Sequence, residues 1–152
     1  MTLLKRLPEQ ASQLYIYRLL EIVRVVDGDT IDAIIDLGFG ISITERIRLA
    51  NVDAFEVRGE ERTKGLTAKE FVTRLLAGSI PPPRHNDTLR LISTEFDYRG
   101  SFGRILGRIE YRDFKNSPWF DLGDVLIAEE HGTLSARYEE TDPFRLAQKN
   151  SP

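Results

Sequence analysis

The chain has 152 residues, a length typical of one domain that buries enough surface to fold without disulfides. It contains no cysteine and only two histidines, His85 and His131, which excludes disulfides, thiolate metal sites, thiol nucleophiles and a three-histidine metal centre. The net charge of −3 gives no global basic field, and the acidic excess lies after residue 120.

No targeting or membrane-spanning segment is evident in the sequence. No apolar run approaches the ~20 residues that cross a bilayer. Lys5 and Arg6 are followed by Pro8 and Glu9 rather than by the apolar core of a signal peptide. We therefore expect a cytoplasmic protein that does not bind membranes.

The first half of the chain predicts three antiparallel strands. Residues 14–26, 30–37 and 41–50 are rich in apolar and β-branched side chains. Ile41, Ile43, Ile47 and Leu49 alternate with polar residues and are expected on one face of the third strand. Turn sequences at 27–29 and 38–40 join these strands, so the pattern predicts a β-meander.

A helix and two more strands are predicted further along. Residues 67–70 (Thr-Ala-Lys-Glu) fit a capping box, with Leu66 and Phe71 placed as a hydrophobic staple, so a helix is expected from there to Gly78. Strands are predicted over residues 88–96 and 104–111. Asp121 is a candidate N-cap for a second helix that ends near residue 130.

Together these elements predict an α+β fold that is mainly β: a five-stranded OB-fold barrel with two to three helices. An N-terminal arm (1–13), the barrel domain (14–138) and an acidic, polar C-terminal tail (139–152) are expected. Barrels of this type often bind oligonucleotides on one face.

The first sequence motif with possible chemistry is Asp27-Gly28-Asp29-Thr30. Its two carboxylates are two residues apart at a strand end, so both could lie on one side. The same four residues are also a favourable turn sequence, and turn formation alone would explain them.

Two further motifs follow. Arg48 lies on the polar face of the third strand, and Asp53 and Glu56 come just past its end, an arrangement that suits a hard cation beside a phosphate. The alternative is a surface ion-pair cluster, which usually contributes less than ~1 kcal/mol. Arg104, preceded by Phe102-Gly103, opens the fifth strand and could point across the mouth of the barrel. This is weak evidence by itself, since the sequence offers other arginines that are equally plausible as solvent-exposed charges: Arg90, Arg99, Arg108 and Arg112.

In this order and on these elements, the three motifs resemble the staphylococcal-nuclease-like (thermonuclease) family over roughly residues 23–138. The resemblance implies an OB-fold barrel with calcium-dependent phosphodiesterase activity on DNA and RNA. Asp29 and Asp53 match the metal-binding carboxylates of the family. Ala54 matches the residue whose backbone carbonyl binds calcium, and Asp27 matches an outer acidic residue.

The resemblance also assigns the catalytic groups. Glu56 matches the proposed general base, and Arg48 and Arg104 match the arginines that clamp the phosphate. Phe55 stands where the family commonly has proline. Phe102 and Tyr138 could stack on a base, although buried or edge aromatic side chains are an alternative interpretation.

These observations predict a calcium-dependent endonuclease that hydrolyses DNA, with RNA as a second candidate substrate and another divalent cation as a second candidate cofactor. The alternative is a catalytically weak or inactive OB-fold module that binds nucleic acid or protein. A regulator of another enzyme is a third hypothesis, based on the acidic tail alone. The nuclease hypothesis requires Asp29, Asp53 and Glu56 to converge in one cleft that faces Arg48 and Arg104.

Overall fold

The computed structural model describes residues 14–77, 87–94 and 104–135. The elements, in chain order, are β1 (Leu14–Asp27), β2 (Thr30–Gly38), β3 (Ile41–Leu49), β4 (Val52–Ala54), a 3-10 turn (Gly59–Glu61), α1 (Arg62–Ala77), β5 (Leu89–Thr94), β6 (Ile105–Tyr111), β7 (Phe120–Asp121), α2 (Leu122–Ala128) and β8 (Gly132–Leu134). The predicted arm at 1–13, the tail at 139–152 and the predicted helix end at Gly78 lie outside the described residues.

Five strands form a closed barrel. The strand order is β3-β2-β1-β5-β6, and β3 and β6 close the ring as a parallel pair in which Ile47 lies beside Ile105. All other neighbours in the ring are antiparallel. With α1 between the third and fourth barrel strands, this topology confirms the predicted OB-type α+β fold.

The long strand β1 belongs to both halves of the barrel. Its first part pairs with β5 and its second part pairs with β2. The β1–β2 register shifts three times, between Leu19 and Glu21, between Ile22 and Arg24, and between Val25 and Asp27. Irregularities of this kind bend and twist a strand, which allows one segment to serve both halves.

Alternating apolar side chains fill the barrel. The neighbouring strands β2 and β3 both contribute buried side chains to the core: Ile31, Ala33 and Ile35 from β2, and Ile47 and Leu49 from β3. The predicted apolar face of β3 is therefore correct at its C-terminal end. Toward the β2–β3 turn the strand leaves the core, so Ile43 packs against the edge of the core and is only half-buried, and Ile41 is exposed.

The predicted start of α1 is wrong. The helix begins at Arg62, directly after the 3-10 turn, and Thr67 lies inside it. The Thr67 hydroxyl donates to the Thr63 carbonyl (2.9 Å), so residues 67–70 are not a capping box. The predicted apolar stripe is confirmed, since Ala68, Val72 and Leu76 are buried. Neither described helix has the length and apolar character of a bilayer-spanning segment.

The second helix begins as predicted. The Asp121 carboxylate accepts a hydrogen bond from the Asp124 N–H (2.8 Å), which is the N-cap interaction. The sequence did not predict the short pair of β4 and β8, in which Ala54 lies opposite Gly132. Three-residue strands are too short to show an alternating pattern.

Candidate functional site

The candidate site lies at the β1–β2 turn. Asp27 pairs with Thr30, and Gly28 and Asp29 form the two-residue connection. A Cβ on Gly28 would lie 2.9 Å from the Ala54 Cβ, so the turn packs directly against β4. The Asp29 carbonyl accepts from the Leu49 N–H (2.8 Å). These contacts bring the turn to the point where β3 ends.

Asp29 is buried and fully engaged at this turn. Its Oδ1 accepts from the Thr30 hydroxyl (3.0 Å), and its Oδ2 accepts from the Ala54 N–H (2.8 Å). Burial raises the pKa of the Asp29 carboxyl, although Arg48 and the two hydrogen bonds oppose that shift. The nearby Asp27 adds to the increase. Burial therefore disfavours the charged form of this carboxyl more than its partners favour it.

Arg48 connects Asp29 to the segment after β3. Its Nη1 donates to the carbonyls of Leu49 and Val52, both at 2.7 Å. Its Nη2 lies 2.5 Å from Asp53 Oδ1 and 3.3 Å from Asp29 Oδ2. The backbone carbonyls thus fix one edge of the guanidinium, and the other edge contacts both carboxylates.

Four of the predicted site residues therefore meet: Asp29, Arg48, Asp53 and Ala54. Asp27 stands beside them, half-buried, and its Oδ1 has no hydrogen-bond partner within the described structure. A buried carboxylate oxygen without a donor is costly unless a cation or water satisfies it. This unsatisfied oxygen indicates that a cation or a water molecule can bind beside Asp27.

Glu56 follows three residues after Asp53, between β4 and the 3-10 turn, with an exposed side chain. Arg104 directly precedes β6 and is half-buried. Arg48 lies beside Leu106 in the β3–β6 pair. Arg104 precedes Leu106 by two residues, so its Cα is about 6–7 Å from the Leu106 Cα. Phe102 and Tyr138 lie outside the described residues.

The carboxylate and carbonyl oxygens of the site are ligands that a hard cation prefers, although the described residues form no complete coordination site. Among the described residues, no three His, Cys, Asp or Glu side chains are grouped to hold a metal. Asp29 and Asp53 nevertheless contact the same guanidinium nitrogen, and Asp27 has an unsatisfied oxygen nearby. Calcium prefers oxygen ligands of this kind in a flexible shell that waters complete. Asp29, Asp53 and the Ala54 carbonyl would hold the ion.

A buried polar network holds the segment between Arg48 and Asp53, and the sequence did not predict it. Asn51 lies between Arg48 and Asp53, and its Nδ2 donates to Asp121 Oδ1 (2.8 Å). Asp121 Oδ2 in turn accepts from Arg108 Nε (2.6 Å). The Asn51 carbonyl accepts from the Ser135 N–H (3.1 Å). Only the isolated polar Asn51 among apolar neighbours hinted at this network in the sequence.

No protein-family model and no curated protein matches the chain.

Proposed function

We propose that this protein is a metal-dependent endonuclease that hydrolyses phosphodiester bonds of DNA, and of RNA as a second substrate. One observation carries the proposal: Arg48 contacts both Asp29 and Asp53, which come from different segments and meet at the rim of the barrel. A cytoplasmic location belongs to the same proposal and is in keeping with a chain that has no cysteine.

The acidic residues provide the metal site of the proposed enzyme. Asp29, Asp53 and the carbonyl of Ala54 would bind calcium or another divalent cation, with Asp27 as an outer acidic neighbour. When bound, the ion would neutralise charge on the phosphate and favour ionisation of a nearby water. The hydrogen bonds from Thr30 and Ala54 hold the Asp29 carboxylate in one position, which supports this role.

The remaining residues act directly on the substrate. Glu56, with its exposed carboxylate, accepts the proton of the attacking water, a contribution of roughly 10²–10⁴-fold for a general base. Arg48 and Arg104 bind phosphate oxygens in pairs, which a lysine cannot do. As the water oxygen bonds to phosphorus, the bond to the leaving ester oxygen breaks, and that oxygen takes a proton from solvent. Because negative charge increases as the fifth bond forms, the two guanidinium groups stabilise the transition state more than the substrate.

The proposal is tested by degradation of supercoiled plasmid in calcium, magnesium or manganese, with and without a chelator. We expect cleavage with metal, none with chelator, and losses of at least about 100-fold in Glu56→Gln and Arg48→Ala. Arg58→Ala, at an exposed arginine outside the site, is the matched control and should cleave normally. Intact plasmid with wild-type protein in every metal contradicts the proposal.

A non-catalytic OB-fold binding module is the second candidate, and one observation favours it. Arg48 already neutralises Asp29 and Asp53 and is anchored on two carbonyls, so the cluster is also complete as a structural ion pair. On this hypothesis, binding to a fluorescent single-stranded oligonucleotide is unchanged by chelator and by Glu56→Gln, and the oligonucleotide stays intact.

A further inference from the structure

Three glycines from three different elements are in close contact with the segment of residues 53–57. Gly28 comes from the β1–β2 turn, Gly65 from α1, and Gly132 from β8. At each of them, a Cβ would come too close to an atom of this segment. The segment carries Asp53 and Glu56, so its position determines where two of the proposed functional carboxylates stand.

Gly65 makes the tightest of these contacts. A Cβ there would overlap the carbonyl group of Glu56 and lie 2.6 Å from the Val57 nitrogen. These neighbours are backbone atoms, which cannot move away by a change of rotamer as a flexible side chain can. The backbone at Glu56 therefore rests directly on the α1 backbone, and any larger residue must push the two apart.

The helix itself gives no reason for a glycine at this position. Gly65 is buried inside α1 and is not among the residues with positive φ. Glycine is the poorest helix former after proline, and alanine would suit the helix better. The contact with Glu56 is thus the structural feature that requires glycine.

The other side of the segment is also fixed. A Cβ on Gly132 would lie 2.6 Å from the Asp53 carbonyl oxygen. The Phe55 N–H donates to the His131 carbonyl (3.3 Å), and Lys64 Nζ lies 5.1 Å from the centre of the Phe55 ring. The segment is therefore held between β8 and α1, and a displacement at α1 must move Glu56.

We propose that Gly65 is a positioning residue for Glu56: its close contact with the 56–57 backbone sets where the general-base carboxylate stands. This inference rests on the proposed function. A displacement of about 1 Å in a catalytic group can reduce turnover by about 100-fold. The closest atoms to Gly65 belong to Glu56, so we expect its substitution to have little further effect once Glu56 no longer accepts a proton.

The test is a double-mutant cycle on the full-length chain, measured as calcium-dependent cleavage of a labelled DNA oligonucleotide. We expect Gly65→Ala to lower kcat by 10- to 100-fold and to change KM less than about twofold. The double variant Gly65→Ala/Glu56→Gln should match Glu56→Gln within about twofold. Multiplied losses in the double variant, or full activity in Gly65→Ala, overturn the inference. Thr67→Ala, on the exposed face of α1, is the control and should cleave as wild type.

Hydrogen exchange separates this inference from the proposed function. Gly65→Ala should speed amide exchange in peptides that cover residues 53–58, whereas Thr67→Ala should not; unchanged exchange in Gly65→Ala overturns the positioning contact even if the protein cuts DNA. If wild type cuts no DNA, the proposed function and the catalytic role of Gly65 both fail. If Gly65→Ala does not fold, Phe55→Ala is the second variant, because it loosens the same segment from α1 by removing the ring under Lys64 and introduces no clash. Its loss of activity should also disappear in the Glu56→Gln background, and additive losses overturn the inference.

Discussion

Arg48 makes four polar contacts with one guanidinium group, and their geometry explains why an arginine is needed there. Two backbone carbonyls hold Nη1, and two carboxylates contact Nη2. A lysine ammonium is a point charge on a flexible stem and cannot reach both sets at once. Hydrogen bonds to a charged group contribute about 1.5–3 kcal/mol when the partners would otherwise stay buried.

We expect Arg48→Lys to lower the free energy of unfolding by about 1.5–3 kcal/mol, because two carbonyls or two carboxylates lose their donor. Urea denaturation followed by tryptophan fluorescence measures this change. Arg58→Lys, at an exposed position before the 3-10 turn, is the matched control and should stay within about 0.5 kcal/mol of wild type. A midpoint for Arg48→Lys that equals the control contradicts the structural role of Arg48.

At the scale of elements, the β1–β2–β3 meander carries a row of cross-strand charges outside the barrel. Arg24, Asp32 and Arg46 lie side by side in the strand register. Arg46 Nε donates to Asp32 Oδ1 (2.7 Å), and the Arg46 hydrogen bond lowers the pKa of the Asp32 carboxyl. A lowered pKa in the folded state means that the unfolded chain binds this proton more readily.

Asp32 therefore contributes stability above its unfolded pKa of about 4 and loses that contribution as the pH falls through its lower folded pKa. We expect wild type to lose more stability than Asp32→Asn between about pH 5 and pH 2, measured as the free energy of unfolding in urea at each pH. Asp113→Asn, in the exposed turn after β6, should keep the wild-type slope. Equal slopes in wild type and Asp32→Asn would show that the ion pair is not formed in solution.

The N-terminus of α2 joins three elements through one side chain. Asp121 caps the helix, accepts from Asn51 before β4, and binds Arg108 of β6. Asn51 belongs to the segment between Arg48 and Asp53. Loss of the Asp121 cap should therefore also displace this segment, because Asn51 loses its hydrogen bond to Asp121.

We expect Asp121→Ala to cost about 2–4 kcal/mol, since it removes the cap together with the hydrogen bonds that Asn51 and Arg108 donate to Asp121. Asp121→Asn keeps the side-chain oxygen of the cap and should cost about half as much. Chemical denaturation of both variants measures the difference. A cost for Asp121→Ala below that of Asp121→Asn would contradict this role of the carboxylate.

For the whole molecule, the sequence was most informative where one face of an element is buried. The alternation in β2 and β3 and the apolar stripe of α1 follow from burial, so the barrel and its helix could be predicted. The start of α1 could not, because the 3-10 turn and the contact between Gly65 and Glu56 lead the chain into the helix earlier than the capping pattern indicates. Nor could the β4–β8 pair, which depends on contacts across 80 residues.

At the site, too, some features could be predicted from the sequence and others could not. The resemblance led us to expect Asp29, Asp53 and Glu56 in one cleft that faces Arg48 and Arg104. Asp29, Arg48 and Asp53 are in contact. The convergence of Glu56 and Arg104 with them stays a prediction. The residues that hold them, Asn51 and Gly65 among them, gave almost no signal, because a buried hydrogen bond or a close backbone contact depends on the folded geometry. The metal, the reaction and the substrate remain proposals that the cluster of charges supports.

Isothermal calorimetry with calcium is the most direct measurement of whether the rim cluster is a metal site. Titration of the full-length wild-type chain should give one bound ion, and the double variant Asp29→Asn/Asp53→Asn should give none, with Asp113→Asn binding as wild type. Absence of heat with wild type, or equal binding by the double variant, would contradict the proposal that these two carboxylates bind the ion.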